Sequence, residues 1–297
     1  MNDNQKSNIH IMYQGIKGSY SSQALDKLSQ KYSITHTPVE NPHFFKELFE
    51  SISEDTIALI PVENSIAGNV NQNNELFIRY DIQIIAEVTL NIHHCLFVSK
   101  EHFTKLKSDI SKYLNFTILS HPQALAQCSD FITQYNFKVQ EYNDTAGSLK
   151  YITEHSNELL LSIAPKFAQQ FYSGKLLEEN IENMKGNTTR FLLVKERGTL
   201  YAFEQSLPLK NKSTFLIELR DSIGSLYQIT KILNEYNVNI KRIISKPHPS
   251  KHFIYIFLFD VEINLEDTRN VHILTKLQKE ANYFKLLGSY PSWEEEN

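Results

Sequence analysis

The chain has 297 residues, 41% hydrophobic and 22% charged, which is ordinary globular composition and excludes intrinsic disorder as its main theme. At roughly 150 residues per domain the length points to about two domains. Thirty Lys and Arg against 34 Asp and Glu leave a net charge of −4 with the signs interspersed, so no nucleic-acid footprint and no polybasic membrane surface is present, and the partner expected is small.

The first fifteen residues, MNDNQKSNIHIMYQG, contain no apolar h-region, and the longest apolar run, Phe253 to Phe259, falls far short of the roughly 20 residues that span a bilayer. A cytoplasmic protein with no membrane partner is expected. The two cysteines, Cys95 and Cys128, and the eleven histidines show no metal-ligand spacing, so neither a disulfide scaffold nor a metal site is expected.

In chain order, strand-like and amphipathic helical runs alternate: Ile9–Gln14, then a helix at Ser21–Gln30; Ser33–Val39, then a helix at His43–Ile52; then Thr56–Val62. Beyond a passage near Leu90–Leu96 a second alternation has strands at Phe116–Leu119, Phe137–Tyr142 and Leu159–Ile163, with helices at about 121–135 and 145–155. Alternation of this kind predicts βαβ units, mostly parallel sheets and two α/β lobes. Residues 196–213 lose periodicity and carry Gly198 and Pro208, as a linker does. After it come strand Thr214–Arg220, helix Ser225–Tyr236, strands Asn239–Lys246 and His252–Glu262, helix Asp267–Lys279 and strand Tyr283–Tyr290, the ferredoxin-like βαββαβ order.

Five junctions between elements concentrate polar side chains. Gly15-Ile16-Lys17-Gly18-Ser19-Tyr20 lies between the first strand and first helix, and reads either as a tight turn or as an anion-holding helix start. Pro61-Val62-Glu63-Asn64-Ser65 puts polar groups at the carboxyl end of an apolar strand, where open α/β sheets bind ligands; Asn64 or Ser65 is equally placed to cap a helix. Ser120-His121-Pro122-Gln123 spells a capping box, which accounts for Ser120 but not for Gln127 one turn beyond Gln123. Asp144, before Thr145-Ala146-Gly147-Ser148, reads most simply as an N-cap. In Asn187-Thr188-Thr189-Arg190-Phe191, period two puts Asn187, Thr189 and Phe191 on one face and Thr188 with Arg190 on the other, so Thr189 and Arg190 do not share a cleft.

Taken together and in this order, these segments resemble the prephenate dehydratase family, most specifically at PVENSIAGNV (61–70), SHPQALAQC (120–128) and TRF (189–191), over about residues 8 to 292. The resemblance implies a two-lobed catalytic region at 8–195, like type II periplasmic binding proteins, with chain crossovers near 90–96 and 180–190. After the linker at 196–213 it implies an ACT regulatory domain at 214–292. It implies Thr189 as the essential catalytic group with help from Asn64 and Gln127. Ser19, Glu63, Ser65, Ser120, Thr145, Asn187, Arg190 and Phe191 would then line or support the substrate site. No cofactor is implied, because aromatisation of the ring drives the loss of CO2 and hydroxide.

The resemblance further implies inhibition by L-phenylalanine and a homodimer or homotetramer in which ACT domains pair. The effector site would fall at Gly224, Ser225 and Leu226 and at Ser245, Lys246 and Pro247. There the sequence departs from the family: Ile244 replaces a glutamate and Lys246 an arginine, whose guanidinium fork a lysine does not reproduce. An arogenate dehydratase and a non-catalytic ligand sensor on the same fold are the rival readings. Positive potential for an anionic substrate has two candidate sources: Lys17, Lys185 and Arg190, or helix N-termini near 19–21, 120–122 and 144–146. Cys95, His93 and His94, beside the first crossover, are expected to pack the hinge rather than face the cleft.

Overall fold

A computed structural model describes residues 9–41, 45–106 and 109–293. The first lobe contains β1 (Ile9–Gln14), α1 (Tyr20–Tyr32), β2 (His36–Asn41), α2 (Phe45–Glu50), β3 (Thr56–Asn64), a short β4 (Gly68–Asn69), α3 (Asn71–Arg79) and β5 (Ile82–Asn91). The start of the helix expected from His43 lies outside the described residues. In β1 the alternation of buried Ile9, Ile11 and Tyr13 with half-buried His10, Met12 and Gln14 fits a strand with one face on the core. In β3, Ile57, Ala58, Leu59 and Ile60 are all buried, because helices or sheets cover both of its faces.

The chain then crosses to the second lobe, which contains β6 (Cys95–Val98), α4 (Lys100–Leu106), β7 (Thr117–Ser120), α5 (Pro122–Gln127), α6 (Ser129–Gln134), β8 (Lys138–Glu141), α7 (Thr145–Glu154), β9 (Leu160–Ala164) and β10 (Lys175–Glu178). It returns through β11 (Thr188–Glu196) to the first sheet. The strand orders are β2-β1-β3-β11-β5, with β4 on β3, and β10-β6-β9-β7-β8. Both sheets are mixed rather than mostly parallel: β1 runs parallel to β2 and β3, and β7 to β8 and β9, but β11 is antiparallel to β3 and β5, and β6 to β9 and β10. The double crossing causes this, since a strand that returns from the other lobe enters its sheet from the opposite end.

The single helix expected at 121–135 is two helices that meet at Cys128. Asn183, on the returning crossover, takes the place of the interrupted turn. Its backbone N–H donates to the Gln127 carbonyl (2.7 Å), its Oδ1 accepts from Asp130 N–H (3.1 Å) and its Nδ2 donates to Ser129 Oγ (2.8 Å). Gln127 is thereby held at the end of a short, fixed helix.

Past a packed turn, in which buried Tyr201 joins the first-lobe core and Lys195 pairs with Glu204 (2.6 Å), comes β12 (Lys212–Leu219). It is followed by α8 (Ser225–Glu235), β13 (Ile240–Pro247), β14 (Tyr255–Val261), α9 (Val271–Lys279) and β15 (Ala281–Tyr290), an antiparallel sheet of order β13-β14-β12-β15. Period two divides its strands: Phe215, Ile217, Phe259 and Val261 face α8 and α9, while Leu216, Leu258, Ile256 and Leu287 join the first-lobe core beside Ile84, Leu192 and Val194. Each such aliphatic side chain stabilises the joint by roughly 1.5–3 kcal/mol. Gly288 makes the approach possible, because a Cβ there would overlap the carbonyl of Ile84 on β5. No described helix is long and apolar enough to cross a membrane.

Candidate active site

A cavity of about 340 Å³ opens between the lobes where the carboxyl ends of β1 and β3, the first turn of β11 and the starts of α1, α5 and α7 converge. Thr189 enters it from β11, and the direction of every hydrogen bond around it is set from one end. The backbone N–H groups of Ile66 and Ala67 donate to Asn64 Oδ1 (3.1 and 2.8 Å), so Asn64 Nδ2 must point the other way. It donates to Asn187 Oδ1 (2.6 Å) and to Thr189 Oγ1 (2.9 Å). Asn187 Nδ2 then donates to Gln127 Oε1 (3.2 Å), which also accepts from His94 Nε2 (2.8 Å).

Two consequences follow. The Thr189 hydroxyl is used as an acceptor, and its own proton has no acceptor among the described residues. The Gln127 oxygen is likewise doubly engaged, which leaves its NH2 as a donor toward the cavity. Donation to Gln127 also fixes the proton of His94 on Nε2, with Nδ1 against the Tyr20 hydroxyl (2.8 Å). Burial holds the His94 imidazole below its ordinary range, so it stays neutral near pH 7.

Among the described residues no Lys or Arg lines the cavity. Positive potential comes instead from helix starts: Ser19, Tyr20 and Ser21 of α1, His121 and Gln123 of α5, and Thr145 of α7. Aligned peptide dipoles carry about half a positive charge at each such end. Pro61, Val70, Ile92, Ala124 and the buried Phe191 supply an apolar wall. Asp144 is the one acidic lining residue among those described; it caps α7 through Gly147 N–H (2.6 Å), and burial pushes its carboxyl up. Gly15, at φ +93°, lets the chain pass it, since a Cβ would lie 2.7 Å from Asp144 Oδ2.

The structure brings Asn64, Gln127, Thr189, Asn187, Ser19, Thr145 and Phe191 into one wall and its supporting network. Four other expected site residues lie elsewhere. Arg190 points to the opposite face of β11, as period two requires, and bonds Glu87 and Asp260 beneath the C-terminal domain. Glu63, next to Asn64 on β3, turns the same way and sits 3.9 Å from Arg190 Nη1. Ser65 bonds the Thr188 and Gly186 backbone at the rim. Ser120 is fully buried and donates to the Ile163 carbonyl (2.6 Å), tying β7 to β9; the cap of α5 is His121, whose Nδ1 accepts from Gln123 N–H. Of the three cations considered, Lys17 lies over the Phe171 ring, Lys185 is exposed and Arg190 is in its own cluster, which leaves the helix starts.

His94 lines the cavity and also packs the crossover, whereas Cys95 is buried and exposed His93 pairs with Glu182. Tyr20 closes the Gly15–Tyr20 junction but was not singled out within it, and His94 was expected to pack the hinge; what makes both site residues is the contact of the Tyr20 hydroxyl with His94 Nδ1, made across 74 positions of sequence. The groove at the C-terminal domain contains Gly224, Ser225 and Leu226 with Phe253 and Tyr255, but not Ser245, Lys246 or Pro247. Lys246 instead donates to Asn71 Oδ1 on α3 (2.7 Å).

Fold and cavity together define a two-lobed α/β protein whose interlobe cavity is lined by helix starts and which carries a βαββαβ domain docked on the far face of β11. Residues 11–199 match the family model for prephenate dehydratase, and the chain belongs to that family. It is 34% identical over 290 residues to a prephenate dehydratase of Methanocaldococcus jannaschii, covering 96% of this chain and 98% of that one. It is 29% identical to arogenate dehydratase 2 of Petunia hybrida, covering 96% of this chain and 72% of the relative. Among solved structures, a prephenate dehydratase of Arthrobacter aurescens in complex with L-Phe superposes with TM-score 0.76 at 22% identity (95% and 89% covered). The quorum-quenching acylase GqqA superposes with TM-score 0.78 at 24% identity (96% and 98% covered). These two likenesses speak to fold.

Proposed function

We propose that this cavity turns prephenate into phenylpyruvate, CO2 and water, the lyase reaction of its family. In that reaction the bond from ring to carboxylate breaks, its electron pair moves into the ring, and the ring hydroxyl leaves with a proton as water. Two demands follow: a donor for the departing oxygen, and poorly solvated surroundings for the carboxylate that becomes CO2. The observation that carries the reading is the Thr189 hydroxyl, fixed as an acceptor from Asn64 with its proton left for the cavity. A threonine is a very weak acid, so its role is a positioned donor or relay. Gln127 NH2 and the starts of α1 and α7 take the remaining oxygens, and Phe191 with Ile92 supplies the dry wall.

L-Phenylalanine is the effector this reading expects, received at the groove of Gly224, Ser225 and Leu226 in an ACT-type domain, with copies of the chain pairing there in the cytoplasm. A relative at 29% identity is named for arogenate, in which an amino acid replaces the keto acid side chain, so both substrates belong in the assay. The test is phenylpyruvate formation by wild type and Thr189→Ala, with and without phenylalanine, with arogenate run in parallel. Expected is turnover of prephenate that phenylalanine lowers, and loss in the variant of about 2.7–4 kcal/mol of barrier stabilisation, by analogy with one oxyanion-hole donor. Near-normal turnover by folded Thr189→Ala would sink the assignment of Thr189.

A further inference from the structure

One peptide separates the Thr189 hydroxyl in the cavity from the Arg190 guanidinium beneath the C-terminal domain. We propose that Arg190 is a positioning residue for Thr189, and that Asp260, supplied by the C-terminal domain, sets it; the proposal rests on the catalytic reading of Thr189. The ladder around these two residues is weak on one side. Thr189 pairs with Asn64 and Arg190 with Glu63, but the register then shifts so that Phe191 faces Pro61, which has no N–H to give. On its other edge β11 keeps continuous register with β5 from Thr188 to Leu193, and the side chain of Arg190 adds a second anchor toward the C-terminal domain.

That anchor is a closed ring whose bond directions are determined. Arg190 Nη1 donates to Asp260 Oδ2 (2.5 Å) and Nη2 to the Tyr290 hydroxyl (2.9 Å). Tyr290, having accepted, donates to Thr214 Oγ1 (2.7 Å), and Thr214 donates to Asp260 Oδ1 (2.6 Å). Arg190 Nε also donates to Glu87 of β5 (2.7 Å), which Lys212 reaches from β12 (2.9 Å). Three of the four ring members belong to the C-terminal domain, and Gly288 packs that domain on Ile84 without room for slip.

Asp260 lies near the end of β14, and the same strand begins at Tyr255, in the wall of the groove that holds Gly224, Ser225 and Leu226. A single strand therefore spans from that groove to the anchor of the catalytic strand. Anything that shifts β14 at the groove shifts Asp260, then Arg190, then Thr189. The C-terminal domain is by this route part of the positioning of the catalytic group and more than an appended regulator.

The test compares steady-state kinetics of wild type, Asp260→Asn and Tyr290→Phe, both shape-conserving changes within the ring. Lys241→Met serves as the control, because Lys241 pairs with Glu262 (3.0 Å) on the same sheet but outside the ring. Each protein is checked for folding by circular dichroism and melting. Expected is a fall in kcat of about ten- to a hundredfold in both ring variants, the scale of a small misplacement of a catalytic group, with KM nearly unchanged and with kcat retained in Lys241→Met. Folded ring variants with wild-type kcat overturn the proposal, as does an equal loss of kcat in Lys241→Met, which would show general loosening. Absence of turnover in the unaltered chain would instead remove the catalytic reading, and the proposal with it.

Discussion

Gln127 offers a cleaner chemical probe than its neighbours, because its two ends do different jobs. The oxygen accepts from Asn187 and His94, and the NH2 faces the cavity. Gln127→Glu keeps an oxygen for both donors and removes only the outward donor, while adding negative charge where an anion must bind. We expect folding to be retained and kcat/KM for prephenate to fall by the equivalent of about 1.5–3 kcal/mol, the worth of a hydrogen bond to a charged group. Initial rates beside a circular dichroism spectrum check this; unchanged kcat/KM would mean that Gln127 does not touch substrate. The residues themselves showed Gln127 as a polar side chain left over after capping was accounted for, and the family resemblance added a helping role in catalysis. Neither showed which end faces the ligand, since that is decided by the Ile66 and Ala67 amides three hydrogen bonds away, through Asn64 and Asn187.

At the scale of elements, the first βα junction carries a demand that one substitution tests. Gly15 adopts φ +93°, and a Cβ would lie 2.7 Å from Asp144 Oδ2 and 3.0 Å from Ser19 Oγ. Gly15→Ala therefore strains the turn and pushes apart the starts of α1 and α7, which meet beside Gly15 in the cavity lining. Left-handed backbone at a residue with a side chain costs on the order of 1–3 kcal/mol, so urea unfolding is expected to show a loss of that size together with a raised KM. Wild-type KM in the folded variant would mean that this junction does not shape the site. The boundaries of such elements were largely legible: β1, α1, β9 and the βαββαβ order follow from periodicity and capping residues. The antiparallel entry of β11 and the break at Cys128 were not, because both are settled by residues far away in sequence, the returning crossover and Asn183.

The whole molecule is joined by a buried charge cluster that ties stability to pH. Burial alone would push Asp260 up, but Arg190, Arg242 and Lys212 outweigh it and hold its carboxyl well below the usual range; Glu87 is lowered by Arg190 and Lys212 against the same opposing burial. For a carboxylate depressed in the folded state, the unfolded chain binds the proton first as pH falls. Stability from this cluster is therefore full above the ordinary carboxylate values and is lost as pH drops through them toward the depressed ones. Asp260→Asn removes one of the two linked groups and leaves Arg190 and Arg242 partly uncompensated, a loss on the order of 3–5 kcal/mol at neutral pH if nothing else rearranges. Urea unfolding at a series of pH values is expected to show a lower plateau and a shallower acid slope for the variant than for wild type. Parallel slopes would mean that Asp260 titrates alike folded and unfolded, and that the acid sensitivity of the joint between β11 and the C-terminal domain rests on Glu87 and its partners Arg190 and Lys212.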